Sequence, residues 1–245
     1  IALVERRKEF DRALEITGGE ILLEGEDLLK LPPKHRRQRI GTKAALIPQD
    51  PLTALNPVRR VGPQIMDRLV DILGWSASAA RARVLELLEE VQIQDPPRVM
   101  RSYPHELSGG MRQRILIASA FAAEPRLIIA DEPTTALDVT VQKQILQLIR
   151  EMQIRHGTAL LFVTHDLGVV SKVAQNLSVL YAGKVVEEAE MRAFFAQPRH
   201  AYSAALLAAT PKYTDPQGSL QPVPAQVIAA VEAEVARFDQ NTGSQ

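Results

Sequence analysis

The chain has 245 residues, 46% of them hydrophobic, which is enough for one large domain with an appendage. Its formal net charge is zero, so no overall charge bias favours nucleic acid or anionic lipid as a partner. The sequence has no cysteine, which excludes disulfides, thiolate zinc sites and cysteine-ligated iron–sulfur clusters. No apolar run approaches the roughly 18–20 residues of a membrane-spanning helix.

The first part of the chain predicts short strands followed by helices. A hairpin that turns at Glu24 and Gly25 leads into a basic connector with two prolines and then into a short buried strand. An irregular loop follows the strand, and the apolar residues then recur at helical spacing until Pro96 and Pro97 interrupt the pattern. These predicted segments are, in order, residues 16–29, 30–40, 44–50, 51–62, 63–74 and 77–92.

The middle of the chain alternates between helices and apolar strands of the kind that parallel sheets bury on both faces. A helix at 109–123, a strand at 126–131, a helix from Val139 to His156, a strand at 158–165, a helix at 166–175 and a hairpin at 177–188 are predicted. This order favours an α/β fold with a mostly parallel sheet and an antiparallel β element.

A change of composition begins near Pro211, where the chain becomes rich in proline and polar residues. An amphipathic helix is predicted after it, over 225–238. Its apolar face could cap the core, form a dimer or lie loosely on the surface, and the sequence leaves these alternatives open.

Two carboxylates end the apolar strand "LIIADE", at the edge where α/β sheets place their ligands. Asp131 and Glu132 are adjacent, so their side chains should point to opposite faces and have different roles. One carboxylate could support a hydrated magnesium ion and the other could polarise an attacking water. A solvated acidic turn is an equally good explanation of this stretch alone.

The segment "LSGGMRQR" places Ser108, Gly109 and Gly110 at the start of a helix, where exposed backbone N–H groups favour an anion. Taken alone, an ordinary serine cap with loop glycines is the commoner explanation. His165 and Gln49 each follow a predicted strand and could reach the same sheet edge, but neither would be informative singly. Arg112 and Arg114 are expected to form local pairs or face solvent rather than to contact nucleic acid.

The order of the four segments changes this assessment. Gln49, then "LSGGMRQR", then "LIIADEPTTALD", then "VTHD" resembles the ATP-binding-cassette (ABC) ATPase family, from about residue 16 to residue 211. The resemblance implies a P-loop NTPase core with a mostly parallel sheet and a helical signature subdomain over about 60–122. It places the ATPase domain at 1–210 and a tail with a terminal helix at 211–245.

The resemblance also implies the cofactors, ATP and Mg²⁺, and the residues that meet them. Asp131 resembles the Walker B aspartate that supports magnesium through its water shell. Glu132 resembles the general base that orients the attacking water. Gln49 resembles the residue that touches magnesium and relays the nucleotide state to the membrane partner, and His165 resembles the switch that contacts the γ-phosphate.

Two further motifs resemble the parts of the family that act across a pair of cassettes. Ser108, Gly109 and Gly110 resemble the signature residues that hold the γ-phosphate of ATP bound to the opposite subunit. Asp138 resembles the D-loop aspartate at that dimer seam. These roles are consistent with phosphoryl transfer, whose catalysis is mostly positioning and charge neutralisation.

Three stretches narrow the resemblance to ATPase subunits of oligopeptide, dipeptide or nickel importers: "IPQDPLTALNPVRRVGPQI", "DEPTTALDVTVQKQIL" and "FFAQPRHAYSAALLAATP". Ala201 departs from the His-Pro-Tyr usual in the third. The implied partners are a second ABC ATPase, identical or homologous, membrane permease subunits bound near Gln49 and residues 51–75, and indirectly a periplasmic or extracellular solute-binding protein. Nucleic acid is not an implied partner, and the implied location is the cytoplasmic face of the bacterial inner membrane.

The phosphate loop of the family, G-x-x-x-x-G-K-[ST], occurs nowhere in the sequence. "IALV" resembles the strand before that loop and "ITGGEILLEG" the hairpin after its helix, yet no turn residue separates Val4 from Glu5. We expect a segment with the phosphate loop to be missing between Val4 and Glu5. The alternative to a missing segment is a degenerate cassette that truly lacks the loop. The alternative to an importer subunit is a non-transport ABC ATPase of DNA repair or translation.

Overall fold

The structure is a computed structural model that describes residue 16 and residues 18–135, 137–210 and 222–242, without the side chains of residues 239, 241 and 242. The expected gap between Val4 and Glu5 lies outside these residues, as does most of the proline-rich stretch after residue 210. The chain divides into two compact units, Ile1–Val163 and Thr164–Gln245. No helix in the described part is long and apolar enough to cross a membrane.

The first unit contains a parallel three-stranded sheet. Its strands are β3 (Ala44–Ile47), β4 (Leu127–Asp131) and β5 (Ala159–Val163), in the spatial order β3-β4-β5. One face is fully covered, since Ile47, Ile128 and Ala130 have no exposed surface. The predicted α/β fold with a parallel sheet is therefore confirmed.

Strand β5 is present as predicted, but its apolar residues are not all buried. Leu161 is 53% exposed and Val163 is 45% exposed, and exposed and half-buried residues alternate along the strand. The reason is that β5 is the edge strand among the described residues, whereas β4 has a neighbour on each side. A continuous apolar run therefore did not by itself establish burial.

A short antiparallel hairpin and a helix precede this sheet. The hairpin, β1 (Leu22–Leu23) and β2 (Glu26–Asp27), turns at residues 24 and 25 as predicted. The predicted basic connector over 30–40 is wrong, because residues Pro33–Lys43 form helix α1. A proline at the first helical position is favourable, since it has no N–H to leave unpaired. Arg39 also contacts Glu26 at 2.7 Å, which ties the helix to the hairpin.

Five helices lie between β3 and β4. They are α2 (Pro51–Ala54), α3 (Val61–Asp67) with a π-helical turn over Arg68–Ile72, α4 (Ala77–Glu90), α5 (Pro96–Arg101) and α6 (Gly109–Phe121). Pro96 and Pro97 therefore begin a helix as well as ending the preceding pattern, and the predicted irregular loop over 51–62 contains α2. Apolar residues of α3 to α6 share one buried core with β3 and β4.

Helix α7 (Val139–His156) has the predicted bounds and is tied to α4 by an ion-pair cluster. The His156 Nε2 atom lies 2.9 Å from Glu90 Oε2, and Arg155 and Arg83 lie 3.3 and 3.4 Å from the same carboxylate. Glu90 and His156 are 17% and 9% exposed, so water screens this cluster only in part.

The second unit is built on an antiparallel hairpin. Strands β6 (Asn176–Tyr181) and β7 (Lys184–Glu190) turn at Ala182 and Gly183, as predicted. Helices α8 (Leu167–Val173), α9 (Met191–Ala196), α10 (Ala201–Ala209) and α11 (Ala225–Thr242) accompany it.

Glu187 is the main buried charge of this unit. It is 6% exposed and accepts hydrogen bonds from the backbone N–H groups of Arg199 and His200, both at 2.9 Å. Burial opposes ionisation, but these donors and the Arg199 charge outweigh it and lower the pKa of Glu187. The carboxylate thus fixes the start of α10 against β7.

The terminal helix α11 packs within the second unit through part of its apolar face. Val231 is 1% exposed, and Glu232 accepts a hydrogen bond from the Tyr181 hydroxyl at 3.3 Å. Glu234 lies 3.0 Å from the His200 imidazole. The helix runs to Thr242, four residues beyond the predicted end, and Phe238 remains 57% exposed.

Candidate functional site

The two predicted carboxylates stand at the carboxyl end of β4. Asp131 is the last residue of the strand, is exposed and pairs in register with Val163 of β5. Glu132 leaves the strand with φ = +43°, a left-handed conformation that side chains other than glycine adopt at a cost. Its N–H donates to the Val163 carbonyl at 2.9 Å, which holds the turn. Such strain is concentrated at functional sites.

Gln49 meets Glu132 at the sheet edge that it was expected to reach. Gln49 lies two residues beyond β3, and its Nε2 donates to Glu132 Oε2 at 2.9 Å. Strands β3 and β4 are adjacent and parallel, so their carboxyl ends lie at the same sheet edge. Two residues that are 83 positions apart in sequence thus form one polar site.

Thr135 is a third member of this site and was not predicted. Its hydroxyl donates to the same Glu132 Oε2 at 2.9 Å, and its N–H donates to the Glu132 carbonyl at 3.1 Å. A hydroxyl three residues after a turn carboxylate can fold back within one turn, but this spacing alone does not single out Thr135. Two donors on one oxygen fix the rotation of the carboxylate.

Asp131 and Gln49 carry the predicted metal site. A strand-end carboxylate and an amide oxygen are hard donors, and magnesium usually takes only one or two carboxylates, completing its shell with water and phosphate oxygens. The described residues contain no group of three or more His, Cys, Asp or Glu arranged to hold a metal ion. A carboxylate and an amide oxygen suit a magnesium ion that arrives with a nucleotide, and this metal site stays a prediction.

The signature residues begin helix α6. The Ser108 hydroxyl accepts the Met111 N–H at 3.3 Å and caps the helix. A Cβ added at Gly109 would meet no atom within 4 Å, so this face of the helix start is open to an approaching group. Gly110 lies against Val141 of α7, with 3.4 Å from its ideal Cβ position to Val141 Cγ1.

Asp138 caps helix α7, accepting the N–H groups of Thr140 and Val141 at 3.0 and 2.9 Å. Val141 therefore links the capped start of α7 to Gly110 at the start of α6. This contact brings the predicted D-loop and signature segments together within one copy of the chain. Their predicted role toward a second copy stays a prediction.

His165 belongs to the second unit, between β5 and α8. The next residue, Asp166, caps α8 by accepting the N–H groups of Gly168 and Val169 at 2.8 and 3.3 Å. The approach of His165 to the site at Glu132 stays a prediction.

Comparison with known proteins identifies the family. A family model described as "ABC transporter" matches residues 8–135, slightly more than half of the chain. A shorter match, to a model described as "AAA domain, putative AbiEii toxin, Type IV TA system", covers residues 101–171.

Curated relatives match over most of the chain. The probable D,D-dipeptide transport ATP-binding protein DdpD of Escherichia coli is 49% identical over 209 residues, which are 85% of this chain and 64% of that protein. The oligopeptide transport ATP-binding protein OppD of Bacillus subtilis is 50% identical over 193 residues, 79% of this chain and 54% of that protein. The chain therefore spans less than two thirds of the length of these relatives.

A solved structure agrees with the sequence match. A dimer of the ATP-binding cassette MJ0796, described in a post-hydrolysis state bound to ADP and Pi, superposes with a TM-score of 0.63 at 28% identity. The superposition covers 72% of this chain and 75% of that one. Together with the Gln49–Glu132 contact at the ends of adjacent parallel strands, these matches show that the chain belongs to the ABC transporter family.

Proposed function

We propose that this chain is the ATP-hydrolysing subunit of an importer for oligopeptides or dipeptides. The observation that carries the proposal is the meeting of Gln49 and Glu132, 2.9 Å apart at the carboxyl ends of two parallel strands. In α/β sheets this is where ligands bind. The peptide specificity is supported by the names of the relatives, of which the chain spans only a part.

Each site residue has a separate task in this proposal. Bound ATP with magnesium supplies an electrophilic γ-phosphorus and a triphosphate whose charge needs neutralising. Glu132 orients the attacking water, and Gln49 and Thr135 hold its carboxylate in one rotation by donating to Oε2. Asp131 would support the metal through its water shell, and His165 would contact the γ-phosphate.

A second cassette, identical or homologous, completes the site. Helix starts favour anions because their first N–H groups have no partner within the helix. Gly109 adds an open surface at the start of α6, where a Cβ would meet nothing within 4 Å. Ser108, Gly109 and Gly110 would hold the γ-phosphate of ATP bound to the opposite subunit, with Asp138 at the seam.

The membrane permease would dock next to Gln49. The segment after β3 exposes two large apolar side chains, Leu52 at 62% and Val58 at 80%. Both side chains are available for a partner surface to cover. The chain would then work at the cytoplasmic face of the plasma membrane, with a solute-binding protein as an indirect partner.

The phosphate loop remains the missing part. Its segment would lie between Val4 and Glu5, because "IALV" resembles the strand before that loop and "ITGGEILLEG" resembles the hairpin after its helix. The alternative is a degenerate cassette without the loop.

The test combines an intact mass with an ATPase assay on the protein isolated from its natural source. The proposal expects a mass above 27.1 kDa, magnesium-dependent ATP hydrolysis and co-purification of a permease. A mass of 27.1 kDa without ATP binding would establish the degenerate cassette. Co-purification of nucleic acid instead of a permease would favour the non-transport ATPase.

A further inference from the structure

A short turn, here called the signature turn, leads directly into the signature residues. It consists of a 3₁₀ turn, Pro104–Glu106, followed by Leu107, and Ser108 comes next. The Tyr103 N–H donates to Glu106 Oε2 at 2.6 Å, which closes the front of the turn. The backbone path through this turn determines where Ser108 starts helix α6.

Arg112 holds the back of the same turn. Its Nε–H donates to two backbone carbonyls, that of Pro104 at 2.9 Å and that of Leu107 at 3.0 Å. Its own backbone N–H donates to the Ser108 carbonyl at 3.0 Å. One residue therefore contacts the chain on both sides of the serine cap.

The front of the turn is fixed by a different segment. The Val61 N–H donates to the Ser102 carbonyl at 3.0 Å, and the Arg60 guanidinium lies 5.9 Å from the centre of the Tyr103 ring. This segment follows the exposed Leu52 and Val58. With the front anchored to α3 and the back anchored to α6, the turn has little freedom to shift unless one anchor is released.

We infer that Arg112 is a positioning residue for the signature site. By holding the Pro104 and Leu107 carbonyls, it keeps Ser108 and the two glycines in the arrangement that meets the phosphate of a nucleotide on the partner copy. The inference rests on the proposed function, in which that partner-bound nucleotide exists. The Arg112 side chain donates to backbone carbonyls of its own chain, so it would act through Ser108 and the glycines.

An arginine suits this role because a lysine has no Nε–H at that point of the side chain. The guanidinium is planar and rigid, so its Nε–H can point between two carbonyls, whereas an ammonium on a flexible stem cannot hold that direction. Arg112→Lys therefore keeps the positive charge and removes the directed hydrogen bond.

Arg114 provides a matched control on the same helix. Its guanidinium donates to the Val91 carbonyl at 2.8 Å and to Gln92 Oε1 at 3.2 Å, so it holds the end of α4 and not the signature turn. Arg114→Lys makes the same chemical change two residues away.

The test compares both variants in the full natural protein carrying Glu132→Gln, which slows hydrolysis so that the ATP-bound state accumulates. Hydrogen exchange is measured for the peptide over residues 103–111. ATP-driven association with the partner cassette, a second copy or the homologous cassette that co-purifies, is measured by sedimentation with magnesium and ATP. Loss of a hydrogen bond from a charged donor changes an equilibrium by about tenfold or more. Arg112→Lys should accelerate exchange in this peptide by about tenfold and weaken association by about tenfold, and Arg114→Lys should do neither.

Unchanged exchange over 103–111 in Arg112→Lys would overturn the inference. Faster exchange with undiminished association would also overturn it, since the turn would then be irrelevant to the partner nucleotide. Equal effects of Arg112→Lys and Arg114→Lys would overturn it as well, because Arg112 would then only stabilise helix α6. If the parent carrying only Glu132→Gln associates in ATP with neither a second copy nor a co-purified homologous cassette, the proposed function itself has failed, and the inference with it.

Discussion

Gly62→Ala tests the packing that anchors the front of the signature turn. Gly62 is the second residue of α3 and is buried against Met100 of α5. A Cβ at this position would lie 2.9 Å from the Met100 carbonyl oxygen and 3.1 Å from Met100 Cβ. Real Cβ atoms essentially never come closer than 3.0 Å, so one of the two helices must shift.

The backbone around Gly62 has little room for such a shift. The neighbouring Val61 N–H is bonded to the Ser102 carbonyl, and both Val61 and Met100 are almost fully buried, at 0% and 3% exposure. Overpacking of this kind costs about 1–3 kcal/mol, and replacing glycine by alanine in a helix recovers at most about 1 kcal/mol. The net destabilisation should be about 1–2 kcal/mol.

Urea unfolding measures this difference. For a slope of about 2–3 kcal/mol per molar urea, the midpoint should fall by about 0.5 M. Gly109→Ala is the matched control for stability, because it is also a helical glycine whose added Cβ would meet no atom within 4 Å. Its midpoint should change by no more than about 0.2 M. A Gly62→Ala midpoint equal to that of the parent, or an equal loss in both variants, would refute the close-packing argument.

Three further predictions concern single carboxylates and one hydroxyl. Burial opposes ionisation of Glu90, but His156, Arg83 and Arg155 outweigh it and lower the pKa of Glu90 below the ordinary 4.5. The ionised carboxylate therefore stabilises the folded state above pH 4.5, and this stabilisation is lost as the pH falls through the lowered pKa. At pH 7 the free energy of unfolding of Glu90→Gln, measured with urea, should therefore be about 1 kcal/mol lower than that of the parent. The difference between the two proteins should disappear as the pH is lowered below 4.5, and a difference that persists there would contradict the lowered pKa of Glu90. Glu187→Gln should loosen the start of α10, seen as faster hydrogen exchange over residues 199–204, and unchanged exchange would show that the two backbone bonds to its carboxylate are dispensable. Thr135→Val should lower the kcat for ATP about tenfold with little change in KM, and Thr135→Ser should restore it; failure of the serine to rescue would show that the hydroxyl does not position Glu132.

The meeting of Gln49 and Glu132 could be predicted from the sequence because it depends on a general rule. Each follows an apolar strand, and the carboxyl ends of parallel strands share one edge. The bounds of α7 could also be predicted, since Asp138 is a cap and the glycine at 157 ends the helix in a left-handed conformation with φ = +59°.

Thr135 and helix α1 could not be predicted for different reasons. The Thr135 bond exists only because Glu132 turns out of β4 with φ = +43°, and nothing in the local sequence demands that conformation. Helix α1 has no fully buried residue, so it offers no apolar periodicity to detect. What ties it to the hairpin just before it is a set of ion pairs, among them Arg39 with Glu26.

The docking of α11 likewise depends on tertiary partners. Its apolar stripe was visible in the sequence, but the Tyr181 hydroxyl and the His200 imidazole that receive it come from a strand and from the start of another helix. The apolar run of β5 misled for a related reason, because burial depends on which strand lies beside it.

The most direct test of the whole account is the steady-state rate of magnesium-dependent ATP hydrolysis by the natural protein and by Glu132→Gln. Removal of a general base should lower the rate by about 100-fold or more while the urea midpoint stays close to that of the parent. A Glu132→Gln variant that hydrolyses ATP as fast as the parent would contradict the role of this carboxylate, and a parent without any hydrolysis would contradict the proposed function.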